Sequence, residues 1–157
     1  MSRDMSLRAR EAIYSQETGE VFLELLEISH TDLSSPIRVV NNNEPIVHGG
    51  NTFHAFPFRV SPPGEKQSEI TKAKLTIDAV DRTVIEAIRS INTAATVTYK
   101  VILAATPDTV EAGPFVFTLK NTNYSAYSVS GDLVYEDRLF MNVPSMKFSP
   151  RLFPGLF

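Results

Sequence analysis

The chain has 157 residues, no cysteine, and 15 basic against 18 acidic side chains, for a formal net charge of −3. That length suits one domain, burying roughly 70% of its unfolded surface without a disulfide or metal to hold it. The composition excludes a disulfide scaffold, a thiolate metal site and a cysteine nucleophile, and the even spread of charge argues against a nucleic-acid-binding stripe.

No apolar run approaches the ~18 residues of a membrane-spanning helix, and no apolar signal core follows the opening MSRDMSLRAREA. The expectation is a soluble protein made in the cytosol, with no membrane partner. Hydrophobic residues make up 43% of the chain, which is ordinary for a folded domain. Val, Ile and Thr are abundant among ten prolines and seven glycines, a bias toward sheet.

The first element reads as a short helix over Ser6–Gln16, capped by Ser6, with Gly19 just beyond its end. Its apolar stripe is narrow and broken by Arg10 and Glu11, so it is expected to dock on a sheet. From Glu20 the pattern becomes that of a strand, VFLELLEIS, apolar on both faces and therefore buried or at an interface. A turn over His30–Pro36 leads to a short strand, Ile37–Asn41, and Asn41-Asn42-Asn43 turns again. Ile46–His48, Gly49-Gly50 and Asn51–Phe58 read as a hairpin, since Gly-Gly supplies the positive φ angles of a two-residue turn. Ser61–Lys66, with Pro62 and Pro63, is an exposed loop candidate. Lys72–Asp78 alternates cleanly as a half-buried strand.

Asp81 is placed to cap a second short helix, Arg82 to about Ile91, with Val84, Ile85, Ile88 and Ile91 on one face. Three strands follow, Ala95–Ala104, Pro114–Lys120 and Tyr124–Val129, the last turning at Ser130-Gly131 into Leu133–Tyr135. The stretch Asn142–Phe157 carries Pro144, Pro150 and Pro154 among Met146, Phe148, Leu152, Phe153, Leu156 and Phe157. It reads as an arm that packs against something. The expected fold is mainly β, a sandwich or barrel with two short α-helices, and a single domain over residues 1–157.

Catalytic signals are sparse. If Gly49-Gly50 forms the turn, His48 pairs with Asn51 and His54 lies on the opposite face, so these two diverge; His30 sits in a turn. Asp78 and Asp81 read as a strand end and a helix cap. Glu65, Glu69 and Glu111 read as a solvated face, and Asn41–Glu44 lacks the ligand spacing of a calcium loop. There is no G-x-S-x-G elbow and no phosphate-cradling glycine loop. No cofactor or metal is expected. Two features are unusual for a monomer: Phe53-His54-Ala55-Phe56-Pro57-Phe58, with aromatics on both faces of one strand, and the aromatic arm. Together they point to subunit packing through Phe56, Phe58, Pro62, Pro63, Met146, Phe148, Leu152, Phe153 and Phe157.

Several stretches carry a family resemblance: Glu11–Tyr14 through Glu24–Leu26, Gly50–Phe53 through Phe56–Phe58, Lys74–Asp78, Pro107–Phe115 and Phe153-Pro154-Gly155. The chain resembles tail-assembly proteins of long, non-contractile-tailed phages and their prophages. More distantly, through residues 50–57 and the Leu-Thr strand near 75, it resembles the N-terminal region of lambda-type tail-tip proteins. Their iron–sulfur portion is cysteine-rich and is not carried over to a chain without cysteine.

The resemblance implies a tail-tube-like β fold and a virion protein at the distal tail end. It implies a ring of copies, a hexamer first and a trimer second, between the tail tube and a hub or central fibre. DNA would pass only as transient cargo, through a channel expected to be acidic. The alternatives are a tail-assembly chaperone and a small enzyme or ligand-binding domain using His48, His54 or Asp78/Asp81.

Overall fold

A computed structural model of the chain describes residues 5–61, 73–78, 93–125 and 128–135, with residues 86, 89, 91, 151 and 155. The fold is mainly β, as composition predicts. Helix α1 spans Leu7–Tyr14. The strands are β1 (Phe22–Ser29), β2 (Ile37–Val40), β3 (Ile46–His48), β4 (Asn51–Ala55), β5 (Phe58–Ser61), β6 (Ala73–Asp78), β7 (Ala95–Leu103), β8 (Thr106–Tyr124) and β9 (Ser128–Val134). They form one nine-stranded sheet in the order β3-β4-β2-β1-β7-β8-β9-β6-β5, open rather than closed into a barrel. All pairs are antiparallel except the short β2–β4 pair. Of the second expected helix, the described residues Glu86 and Arg89 are helical.

Helix α1 begins where expected, with Ser6 Oγ accepting from the Ala9 N–H. It ends differently. Ser15 is extended and returns its N–H and its hydroxyl to the Glu11 carbonyl, so no glycine cap is required and Gly19 plays no such part. The hairpin follows the sequence closely: Gly49 (φ 56°) and Gly50 (φ 76°) form the turn, and His48 pairs with Asn51.

The strand expected over Asn51–Phe58 is in fact two strands at opposite ends of the sheet. β4 lies second from one edge and β5 is the other edge, yet only Phe56 and Pro57 separate them. Consecutive Cα atoms are ~3.8 Å apart, so Ala55 and Phe58 lie within about 11 Å of each other. The sheet must therefore roll until its two ends approach. The corner is tied to both: the Phe56 N–H donates to the Val40 carbonyl and the Pro57 carbonyl accepts from the Asp78 N–H. Proline suits this site because a corner asks nothing of its missing N–H.

Rolling creates the main core. Leu26 and Ile28 (β1), Phe58 (β5), Leu75 and Ile77 (β6), Val97 (β7), Leu119 (β8) and Leu133 (β9) meet inside it. A second cluster uses the other face of β1. Leu23 and Leu25, out of phase with Leu26 and Ile28, pack with Val40, Phe53 and Ile102. The doubly apolar β1 is thus explained by two cores on opposite faces. The switch of face in β7 coincides with register shifts against β8 between Tyr99 and Leu103. Over that stretch β8 uses more residues than β7, and bulging of this kind bends and twists the pair.

The last turns also lie elsewhere than the sequence suggests. β8 starts at Thr106, after a two-residue turn at Ala104-Ala105 that has no glycine to announce it. β9 runs straight through Ser130-Gly131, pairing Ser130 with Thr76 and Gly131 with Leu75, so this is strand and not turn. Gly131 is glycine because a Cβ there would come within 2.7 Å of Leu119 Cδ1 and 3.3 Å of the Lys120 carbonyl.

Candidate interaction surfaces

Phe58 is only 5% exposed and belongs to the main core of its own chain. Phe56 is half-buried against the same core. The aromatic run that suggested an interface is thus largely consumed by the corner: aromatics on both faces of one strand become aromatics on two strands once Pro57 divides them. Pro62, Pro63, Met146, Phe148, Leu152, Phe153 and Phe157 lie outside the described residues, as do Asp81, Glu65 and Glu69.

The histidines are held apart as the hairpin register predicts. His48 is buried and His54, across the strand, is exposed. His48 Nδ1 lies 2.7 Å from the Pro107 carbonyl, which can only accept, so Nδ1 carries the proton. Nε2 lies 3.4 Å from Lys100 Nζ, and the ring sits edge-on to Phe53. The Gly49 N–H donates to Asp108 Oδ1, completing a clasp between the hairpin and the start of β8. His30 accepts from the Asp32 N–H and contacts the Thr93 hydroxyl. No three His, Asp or Glu side chains among the described residues gather as metal ligands.

Glu111 corrects another expectation. It is 5% exposed rather than solvated, and its two oxygens accept from the Ser6 N–H and Ser6 Oγ, each at 2.8 Å. One carboxylate thus fixes the start of α1 to β8. Alternation in β8 is disturbed by the register shifts, so nothing in the local sequence marks Glu111 as buried.

Two surfaces remain without a partner among the described residues. The first is the outer face of α1. Ala9 and Ala12 are buried, so at about 100° per residue Leu7 and Tyr14 point directly away from the sheet. They are 65% and 86% exposed, with Arg10 and Glu11 on either side of them. Arg8, by contrast, is paired with Glu20.

The second surface is an open cleft of about 750 Å³ beside the corner, lined by Glu24, Asn41, Pro57, Phe58, Arg59 and Asp78 among others. Glu24 accepts from the Tyr99 hydroxyl at 3.0 Å and from Asn41 Nδ2 at 3.2 Å. Burial, then the neighbouring Glu24 charge and the hydrogen bond to it, push the Tyr99 hydroxyl well above the usual tyrosine range. Tyr99 therefore stays a neutral donor. Arg59 and Asp78 are exposed at the rim, and neither forms an ion pair with another described residue. A smaller cavity of about 400 Å³ lies between the start of β7 and the end of β8, lined by Ile91, Thr93, Leu119, Asn121 and Tyr124 among others.

These features define a small, mainly β domain built on one rolled sheet, with an anchored helix that keeps an apolar face outward. Residues 8–148 match the family described as Domain of unknown function (DUF1833), and the chain belongs to that family. A search of curated proteins finds no match.

Proposed function

We propose that this chain is a structural subunit of the distal tail tip of a long-tailed phage, non-enzymatic, assembled as a ring between tail tube and hub or fibre. The observation that carries the reading furthest is α1. Its inner face and its capping serine are fully engaged with the sheet, and yet Leu7 and Tyr14 face outward. A helix whose whole task was to cover its own domain would gain nothing from two large exposed apolar side chains. The resemblance of residues 11–26, 50–58, 74–78 and 107–115 to phage tail-assembly proteins supports the same reading. A ring of six is proposed first and a ring of three second.

The test is immunogold electron microscopy of purified virions with antibody to this protein. Gold confined to the distal tail end is the expected result. Gold along the whole tail makes it a tube subunit. Absence from gold-labelled and denatured virions alike makes it an assembly chaperone or an enzyme. A second experiment removes residues 142–157, whose six large apolar side chains are each worth ~1.5–3 kcal/mol when buried. The truncated chain is expected to stay folded by circular dichroism and to be missing from tails; normal incorporation overturns the role of the arm.

A further inference from the structure

The cleft beside the Phe56–Pro57 corner runs along an open edge of the sheet. β5 is the last strand in the order, with β6 on one side and no described strand on the other. The Asp78 N–H bonds to the Pro57 carbonyl, and hydrogen-bonded pairs alternate along an antiparallel ladder. Arg59 with Thr76 and Ser61 with Lys74 are therefore the next bonded pairs. The N–H and C=O groups of Phe58 and Val60 point the other way, along the free edge, and no described residue bonds any of the four. Phe58 buries its side chain in the main core, so what it lends to the cleft is main chain.

Across the cleft stands Glu24, on the face of β1 that carries Leu26 and Ile28 into the main core. Its carboxylate is held by two neutral donors, the Tyr99 hydroxyl and the Asn41 amide, and is paired with no described cation. Arg59 lies on the outer face of β5, also without an ion pair to a described residue.

Four unpaired backbone groups beside an open cleft are what the addition of a strand requires. Arg59 limits which strand. β5 of a second copy, laid antiparallel in the register that pairs all four groups, would set Arg59 against Arg59, and like charges directly opposite are unfavourable. The C-terminal arm offers a different segment. Ser145, Met146, Lys147, Phe148 and Ser149 lie between Pro144 and Pro150, five residues with every N–H available for a four-residue edge. They alternate polar and apolar. Residues directly opposite on paired strands share a face. Laid with Met146 and Phe148 inward, the segment would place Lys147 opposite Arg59. Turned over, Lys147 stands opposite Phe58 or Val60 and faces the Glu24 carboxylate, while the stem of Arg59 lies against Met146 or Phe148.

We infer that residues 145–149 of one copy add as an antiparallel strand to the free edge of β5 in a second copy, with Lys147 paired to Glu24. The inference deepens the ring reading and rests on it, since it names where the arm goes. Arm and edge are different parts of the chain, so the contact is head-to-tail and successive copies close into a ring or extend. Tyr99 and Asn41 fix the Glu24 carboxylate before the arm arrives, so little freedom is lost on that side.

The test is sedimentation velocity of the full chain over a range of concentrations, with Val60→Pro, Lys147→Glu and Lys147→Arg. The Val60 N–H faces the free edge, so proline there takes nothing from the β5–β6 ladder and blocks only the added strand. Val60→Pro and Lys147→Glu are each expected to raise the concentration needed for association by about tenfold or more. Lys147→Arg keeps the charge and is expected to associate as the natural chain does. In parallel, photoreactive benzoylphenylalanine replaces Arg59, an exposed side chain, and the product is mixed with isotopically heavy natural chain. Irradiation is expected to join position 59 to residues 142–151 of the heavy chain.

Association that either Val60→Pro or Lys147→Glu leaves unchanged overturns the inference and leaves the ring reading standing. So does cross-linking to another part of the heavy chain, or within one chain only. Should Val60→Pro lose its circular dichroism, Lys147→Glu and the cross-link decide. A natural chain that stays monomeric at every concentration overturns the inference; its absence from virions as well overturns the ring reading with it.

Discussion

Ser6 and Glu111 are 105 positions apart, yet both carboxylate oxygens of Glu111 are bound by Ser6, one by its N–H and one by its hydroxyl. The same hydroxyl accepts from the Ala9 N–H, so a single serine caps α1 and attaches it to β8. Removing the hydroxyl removes the cap and half of the attachment. Ser6→Ala is expected to cost about 1–2 kcal/mol by chemical denaturation. Glu111→Ala is expected to cost about as much or more, because it leaves two donors without their acceptor. In both variants hydrogen exchange should accelerate over Leu7–Tyr14 while the amides of β1 and β7 keep their protection. Uniform acceleration across the sheet would mean that α1 is part of the global folding unit and not a separately attached element.

How much of this was legible in the sequence depends on how local the cause is. The cap at Ser6, the Gly49-Gly50 turn, the pairing of His48 with Asn51 and the alternation of Ala73–Asp78 all follow from a few neighbouring residues, and all are present. The burial of Glu111 depends on a serine at the other end of the chain. The break at Phe56–Pro57 depends on where the two ends of the sheet meet, and period-2 alternation on either side conceals it. Gly131 reads as a turn because glycine usually marks one; here the requirement is room for Leu119 from the adjacent strand. Of the candidate interface residues, Phe56 and Phe58 stand out in the sequence as an excess of aromatic surface. The chain's own roll uses most of it, and the exposed pair Leu7 and Tyr14 was hidden in a stripe too weak to stand out.

Tyr99 makes the stability of the fold depend on alkaline pH. Burial and Glu24 hold its hydroxyl protonated in the native state, while in the unfolded chain a tyrosine ionises near pH ~10. The folded pKa is the higher of the two, so the native state binds more protons above that point. The contribution is complete below about pH 10 and is lost as pH rises toward the folded value. Tyr99→Phe abolishes this dependence, and it also leaves Glu24 with one donor fewer. Urea midpoints measured from pH 8 to 11 should fall less steeply in Tyr99→Phe than in the natural chain, from a lower starting value at pH 8. Parallel slopes would show that Tyr99 ionises in the native state as freely as in the unfolded one.

Two glycines within strands make a contrasting pair. At Gly131 the obstacle is mainly the end of the Leu119 side chain. Gly131→Ala is expected to cost about 1–3 kcal/mol as overpacking, and Leu119→Val introduced with it should recover part of the loss. At Gly113, φ is +107° and a Cβ would come within 2.9 Å of the Tyr99 carbonyl and 3.2 Å of the Phe115 nitrogen. Both obstacles are backbone and the dihedral itself disfavours a side chain. Gly113→Ala is therefore expected to cost more, with no rescue from substitution at Phe115. Denaturation of the four variants decides it. Rescue at Gly113 by a smaller residue at 115 would show that the bulge can shift to make room.

The second core predicts a local failure rather than a global one. Phe53 is the large side chain that the β3–β4 hairpin contributes to the cluster of Leu23, Leu25, Val40 and Ile102. Besides Phe53, the hairpin is held by Ile46 packed against the same cluster, the short β2–β4 pairing at Val39 and Val40, the His48–Pro107 contact and the Gly49–Asp108 hydrogen bond. Phe→Ala in a core typically costs about 3–5 kcal/mol, enough to overcome so few tethers. The main core contains none of the residues of the second cluster and draws its side chains from β1, β2 and β5–β9. Phe53→Ala is therefore expected to release β3 and β4 while the rolled sheet persists. Limited proteolysis should cut first between Asn41 and Ala55, and the remaining fragments should stay associated with their far-ultraviolet circular dichroism largely intact. A single cooperative loss of all structure, with no preferred cut in that segment, would show that the two cores stand or fall together. That result would make the hairpin part of the folding unit that closes the roll at Phe56–Pro57.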